Sequence, residues 1–207
     1  MFEPIRVTEV INYFSEPWKL DWYAKNGKAY CNKVGKAAMK VGSRVDELIK
    51  EYPAAPFAET SDKAEVVNCV KAYNKWWEVY RTKSITHCTR LKAIIEGHEV
   101  TVEPDLMVDD VLVDLKCSSK ISLQYWIQVN MYRYLEVRKQ FPDTPFPADE
   151  YADALRRSKV GILRLDKTTS SYEYVVKDYD VNCVNVWCGM MRAMVYYKGD
   201  SHDGDEL

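Results

Sequence analysis

Apolar residues recur at three- and four-residue intervals through the first 80 positions, the spacing of helices with one buried face. The segment VTEVINYF (7–14) predicts a short helix capped by Thr8. A longer helix is expected from Asn32 to Glu51, with Val34, Ala38, Val41, Val45 and Leu48 on one face. Pro53 and Pro56, in YPAAPFAETSD, end it. Asp62 with Glu65 has the spacing of a capping box for a third helix reaching Tyr80. Its stripe is Val66, Val70, Tyr73, Trp77 and Tyr80.

Beyond that point the period drops to two. ITHCTRLKAII (85–95), HEVTVEPDLMV (98–108) and VLVDLKCS (111–118) read as three strands joined by turns at Glu96-Gly97 and Asp109-Asp110. A helix from Ser122 to Gln140 and a Pro-rich loop (141–149) follow. SKVGILRLD (158–166) and SSYEYVVKDY (170–179) read as two further strands. Asp180 caps a last helix with Val184, Trp187, Met191 and Met194 on one face. This order predicts an α/β fold, a mixed sheet flanked by helices, with a helical N-terminal region. One domain is expected over residues 1–198, mainly helical in 1–81 and sheet-based in 82–198, followed by an acidic, disordered tail (199–207).

Composition narrows the class. The 207 residues are 47% hydrophobic and 29% charged, ordinary for a globular protein with a sizeable core. No run reaches the length of a membrane span, and the N-terminus lacks a basic-then-apolar leader, so a cytoplasmic location is expected. Six cysteines without a C-x-x-C pair suit neither a zinc site nor a disulfide framework. The net charge of −2 is unevenly spread. Residues 71–92 carry six lysines and arginines against one acid, whereas the last nine residues carry four acids and neither lysine nor arginine. Lys71, Lys75 and Arg81 are therefore candidate phosphate contacts. Trp76 lies off the apolar stripe and is the candidate for base stacking. His87 and His98 have no partner at metal-ligand spacing.

The chemistry concentrates in VEPDLMVDDVLVDLKCSS (102–119). Alternation puts Asp114 and Lys116 on one face of an otherwise apolar strand, where an unpaired charge is costly. The Asp109-Asp110 turn folds the preceding strand back, bringing Asp105 across from them. Two carboxylates and an ammonium at a sheet edge can hold Mg²⁺ or Mn²⁺ and activate water, or can be a structural ion cluster. Burial is expected to lower the pKa of Lys116 toward that of a base.

These residues resemble the PD-(D/E)XK nuclease superfamily, in particular its RecB-like, phage-type exonuclease branch. Glu103-Pro104-Asp105 and Asp114-Leu115-Lys116 stand for its core motif, and Gln128 with Tyr132, in QYWIQVNMYRYL, for its Q-x-x-x-Y signature. VTEVINYF and VGSRVDELIKEY look like its N-terminal helices. The resemblance implies metal binding by Asp105, Asp114 and the main-chain carbonyl of Leu115, with Lys116 catalytic and Gln128 and Tyr132 positioning it or the substrate. Asp46 stands where the family has a histidine ligand, with Glu47 as the alternative, and Val102 stands for a family glycine. Some relatives hold an iron–sulfur cluster on four cysteines; Cys183 and Cys188 are only a pair, so no cluster is expected. The implied activity is a Mg²⁺- or Mn²⁺-dependent DNA nuclease, an exonuclease on single-stranded or end-containing DNA in viral or prokaryotic replication, recombination or degradation. A second copy or a recombination or replication protein would be its partner. An endonuclease, or an inactive nucleic-acid- or protein-binding module on the same fold, is the alternative.

Overall fold

The computed structural model describes residues 3–14, 17–140 and 149–200. Two mixed sheets carry the molecule. β1 (Ile5–Arg6), β4 (His98–Val102) and β3 (Leu91–Ile95) form the smaller, in the order β1-β4-β3. β2 (Ile85–His87), β5 (Leu106–Val108), β6 (Val111–Lys116), β7 (Lys159–Leu165) and β8 (Tyr172–Asp178) form the larger, in the order β2-β5-β6-β7-β8. The described helices are α1 (Val7–Tyr13), α2 (Pro17–Asn26), α3 (Lys28–Glu51), α4 (Ala64–Tyr80), α5 (Leu123–Gln140), α6 (Asp149–Arg156) and α7 (Val181–Asp200). None of them is long and apolar enough to cross a membrane.

Strand parity sorts the core into two layers. Leu112 of β6 and Val160 and Ile162 of β7 point into one cluster, shared with α1, α5, α6, α7 and the small sheet. Val113, Leu163 and Leu165, on the opposite face, join Leu106 and Val108 against α3 and α4. The central strands are thus covered on both sides, which is why VLV and VGIL are nearly unbroken apolar runs. Gly161 sits where β6 and β8 crowd in. A Cβ there would lie 3.1 Å from the Tyr174 ring and 3.2 Å from Val113.

Several local expectations change. The three predicted strands after α4 are five, because the chain breaks at 88–90 and at 103–105. Pro104 has no N–H to donate to a ladder, and at that break the chain leaves the small sheet for the large one. The β3–β4 hairpin itself turns at Glu96 and Gly97, both at positive φ (48° and 82°), as the paired turn positions require. Thr8 does not cap α1. Arg6 stays extended beside β4, its N–H reaching Glu9, so the helix starts at Val7. Lys63, not Asp62, precedes α4 without a side-chain cap, because the Asp62 carboxylate is taken by Arg44 (3.0 Å) and the Glu59 N–H (2.9 Å). α2 and α6 were not anticipated. Asp180 does cap α7, accepting the Asn182 N–H at 2.9 Å. That helix runs on to Asp200, inside the stretch expected to be a tail, and 201–207 lie outside the described residues, as does the Pro-rich loop at 141–148.

Candidate active site

β5 begins only at Leu106, opposite Val113, while β6 continues to Lys116. The last three residues of β6 therefore have β7 on one side and an open edge on the other. Asp105, just before β5, fills that edge: its Oδ2 accepts the Leu115 N–H at 2.6 Å, standing in for the missing strand. In an extended residue the N–H and C=O point to the same side, so the Leu115 carbonyl faces the same edge.

Asp114 and Lys116 share the Leu112 face, toward α5. Asp114 is 1% exposed. Its Oδ1 accepts from Gln128 Nε2 at 3.1 Å, and the same amide nitrogen donates to Tyr132 Oη at 2.5 Å. The Asp114 Oδ2 lies 2.6 Å from Lys116 Nζ, yet the alignment is poor and this oxygen receives no hydrogen bond of good geometry. Lys116 also sits 5.3 Å from the Tyr125 ring centroid. Tyr125, Gln128 and Tyr132 follow i, i+3, i+7 spacing on α5. Tyr125 was missed in the sequence, although that spacing from the recognised pair points to it.

One cavity of about 290 Å³ is lined by Asp46, Asp105, Asp114, Leu115, Lys116, Gln128 and Tyr132, with Gly42 and Ile49 of α3 and Cys117 closing it. Glu47 does not line it and pairs with Arg44 instead (3.5 Å). Asp46 reaches the cavity, but its carboxylate is held 3.0 Å from Lys50 Nζ, and Lys50 also contacts Glu103 at 3.3 Å. Among the described residues no group of three or more His, Cys, Asp or Glu side chains converges as a metal cluster. The three-acid arrangement expected around Asp46 is thus not assembled in this structure.

The electrostatics are those of a crowded anion pair. Burial, and then the neighbouring Asp114 carboxylate, push Asp105 up to about 7. Burial also raises Asp114, against the pull of Lys116. For Lys116 burial acts downward, as expected, but the charges of Asp114 and Asp105 outweigh it and leave the ammonium above its ordinary value. The lysine is therefore charged here, not a ready base. With Asp105 ionised, two carboxylates face one ammonium and the site carries an excess of negative charge. That excess, and an Asp114 Oδ2 whose close neighbour is the Lys116 ammonium at poor alignment, suit one hard cation. Mg²⁺ commonly takes one or two protein carboxylates and fills its remaining positions with water or phosphate oxygens.

The α4 candidates lie elsewhere. Trp76 is 0% exposed, packed against Tyr73, Tyr80 and Tyr174, so it cannot stack on a base. Its position off the stripe faces β8, which covers it. Lys71, Lys75 and Arg81 are exposed but line no part of the cavity. Lys75 donates to the Ser170 carbonyl (2.8 Å) and Arg81 pairs with Glu78 (3.5 Å).

The chain is similar in fold to a candidate exonuclease from Eubacterium rectale. The two align with a TM-score of 0.50 at 17% identity, over 79% of this chain and 68% of the other. At that identity the likeness establishes the fold and leaves the chemistry to the residues. An alkaline exonuclease from Laribacter hongkongensis aligns over 97% of this chain and 93% of its own, at 14% identity and a TM-score of 0.38, too loosely to bear on function. No family model matches the chain, and no curated protein matches it in sequence.

Proposed function

We propose that the protein is a metal-dependent DNA nuclease of the PD-(D/E)XK type, in its RecB-like branch. The observation that carries this reading is the meeting of Asp105, Asp114, Lys116, Gln128 and Tyr132, from the break before β5, from β6 and from α5, in one cavity at a broken sheet edge. Asp105, Asp114 and the Leu115 carbonyl would hold Mg²⁺ or Mn²⁺. When bound, the ion supplies positive charge that acidifies water and offsets charge developing on the phosphate. Lys116, anchored by Asp114 and Tyr125, presents an ammonium to the attacking water or to a phosphate oxygen. Gln128 fixes the Asp114 carboxylate and ties it to Tyr132, so the acid cannot swing away. Asp46 joins this set only if it exchanges Lys50 for the ion.

Single-stranded or end-containing DNA is the substrate this reading favours. Cleavage of end-labelled linear and of circular DNA, each single- and double-stranded, with Mg²⁺, Mn²⁺ or EDTA, tests it. Metal-dependent loss of linear substrate alone is the expected result, and cutting of circles would make the protein an endonuclease. Lys116→Ala should reduce cleavage by about 10²–10⁴-fold while the variant stays folded, with some loss of melting temperature because the buried Asp114 loses its ionic partner. A fully active variant would sink the mechanism. The hold of Lys50 on Asp46 is the one observation favouring a non-catalytic DNA-binding module. Absence of cleavage with every metal, together with salt-dependent DNA binding, would decide for it.

A further inference from the structure

Beside the carboxylate cavity, and sharing Tyr132 with it as a common wall, runs a larger cleft of about 500 Å³. Its floor is the outer face of the small sheet. Arg6 of β1 lies opposite Thr101 of β4, and Thr101 lies opposite Lys92 of β3. The three form one cross-strand row, with the two cations about 10 Å apart at the backbone, twice the usual strand spacing. The buried face of the same strands carries Ile5, Val100 and Leu91, so the row is held facing outward by the core behind it. Arg90 and Thr8 extend the lining.

Neutralisation of this row is weak. No carboxylate lies within ion-pairing distance of Arg6 among the described residues. Lys92 and Arg90 meet Glu99 (3.0 Å) and Glu103 (3.3 Å) as exposed pairs, which are worth little and exchange readily for a phosphate. Glu103 is itself shared with Lys50 (3.3 Å), and that chain of contacts runs from the cleft to Asp46 in the cavity. The acids remaining are Glu3 at the rim and Glu9, which accepts the Arg6 N–H and feels its charge while its carboxylate is held by Lys198. Guanidinium and ammonium groups flanking a hydroxyl suit phosphodiester oxygens.

We propose that this cleft is the strand-binding track, in which Arg6, Lys92 and Arg90 hold backbone phosphates of a nucleic-acid strand leading past Tyr132 to the carboxylates. The assignment rests on the nuclease reading for its direction, but its test is read without cleavage. Binding of a fluorescent single-stranded oligonucleotide is followed by anisotropy in EDTA over a range of salt. Arg6→Ala with Lys92→Ala should weaken binding about tenfold. It should also flatten the slope of log K against log salt by about 1.4, since each phosphate contact on a single strand contributes about 0.7. The charge-preserving pair, Arg6→Lys with Lys92→Arg, should keep the slope. Lys25→Ala with Lys28→Ala, an equal loss of charge at the α2–α3 junction, should shift binding less than twofold.

An unchanged slope in the first double variant, an equal loss in the control pair, or no binding by the unaltered protein would overturn the assignment. Because Arg6 precedes α1, Lys92→Ala with Arg90→Ala serves as the second variant, expected to give the same flattening if the first fails to fold. Cleavage is scored separately. A protein that cuts DNA but keeps its slope without Arg6 and Lys92 loses this track alone. One that binds through them and never cuts loses the nuclease reading alone.

Discussion

Gln128 is the side chain on which the site turns. It is 7% exposed, and one amide nitrogen serves both Asp114 and Tyr132. Removing it would take away the hydrogen bond of good geometry to Asp114, leaving the buried carboxylate its ionic contact with Lys116, and an under-satisfied buried acceptor is costly. Gln128→Ala should lower cleavage about 10–100-fold and raise the Mn²⁺ concentration needed for half-maximal rate in step, as loss of a partner behind a metal ligand does. An unaltered Mn²⁺ requirement would reduce Gln128 to packing. Asp166 illustrates the opposite electrostatics. The Thr168 hydroxyl and the Thr168 and Thr169 N–H groups, with Arg164, hold its carboxyl well below the usual range. A depressed acid contributes stability above its unfolded pKa of 3.8 and loses it as pH falls further. The melting temperature of the unaltered protein should therefore drop more steeply below about pH 4 than that of Asp166→Asn, measured by thermal denaturation across pH. Parallel curves would remove Asp166 from acid stability.

Elements rather than residues explain where the expectations failed. Trp76 read as exposed because a wheel drawn on α4 alone has one buried stripe; β8 covers a second side, and Tyr174 meets the indole edge-on. The stretch 98–108 read as one strand interrupted or ended at Asp105, because alternation runs through Glu103; only the second sheet makes the break at Pro104 a change of sheet. β1 could not be seen at all: two residues carry no period, and they are a strand only because β4 lies alongside. By contrast, Asp114 and Lys116 on one face, and Gln128 and Tyr132 one turn apart, were legible because both spacings are local. The tight packing of β6, β7 and β8 makes its own prediction. Gly161→Ala should cost about 1–3 kcal/mol in urea denaturation, because Val113 and Tyr174 both have to give way. A neutral substitution would mean that the Tyr174 ring rotates freely aside.

At the scale of the molecule, the carboxylate pair is a stability cost that a cation should relieve. Saturating Mg²⁺ or Mn²⁺, at about a hundred times its dissociation constant, would stabilise the folded state by about 2.7 kcal/mol. For a chain of this size that corresponds to a rise of about 5–10 °C in melting temperature. Asp105→Asn should lose most of the rise, and an equal shift in the variant would dispose of Asp105 as a ligand. The two cavities also face one another across Tyr132, one acidic and one edged by Arg6, Arg90 and Lys92. A cation and a polyanion would bind side by side, each lowering the electrostatic cost of the other.

Apart from Gln128 and Tyr132, which entered through the family resemblance, order along the chain and local period were enough to place α1, α3, α4, α5 and α7, the β5–β6 hairpin, and the acids and lysine that share the cavity. Those depend on neighbours within a few residues, and backbone geometry dictates them wherever the chain folds. Contacts between distant segments decided the rest. The pairing of Arg6 with Thr101 joins residues 95 positions apart in sequence, Lys50 bridges Asp46 to Glu103, and two carboxylates raise the pKa of Lys116 where burial alone would lower it. None of these carries a sequence period, because each is set by which surfaces the two sheets bring together. The cationic row across β1, β4 and β3 exists only once that packing has formed.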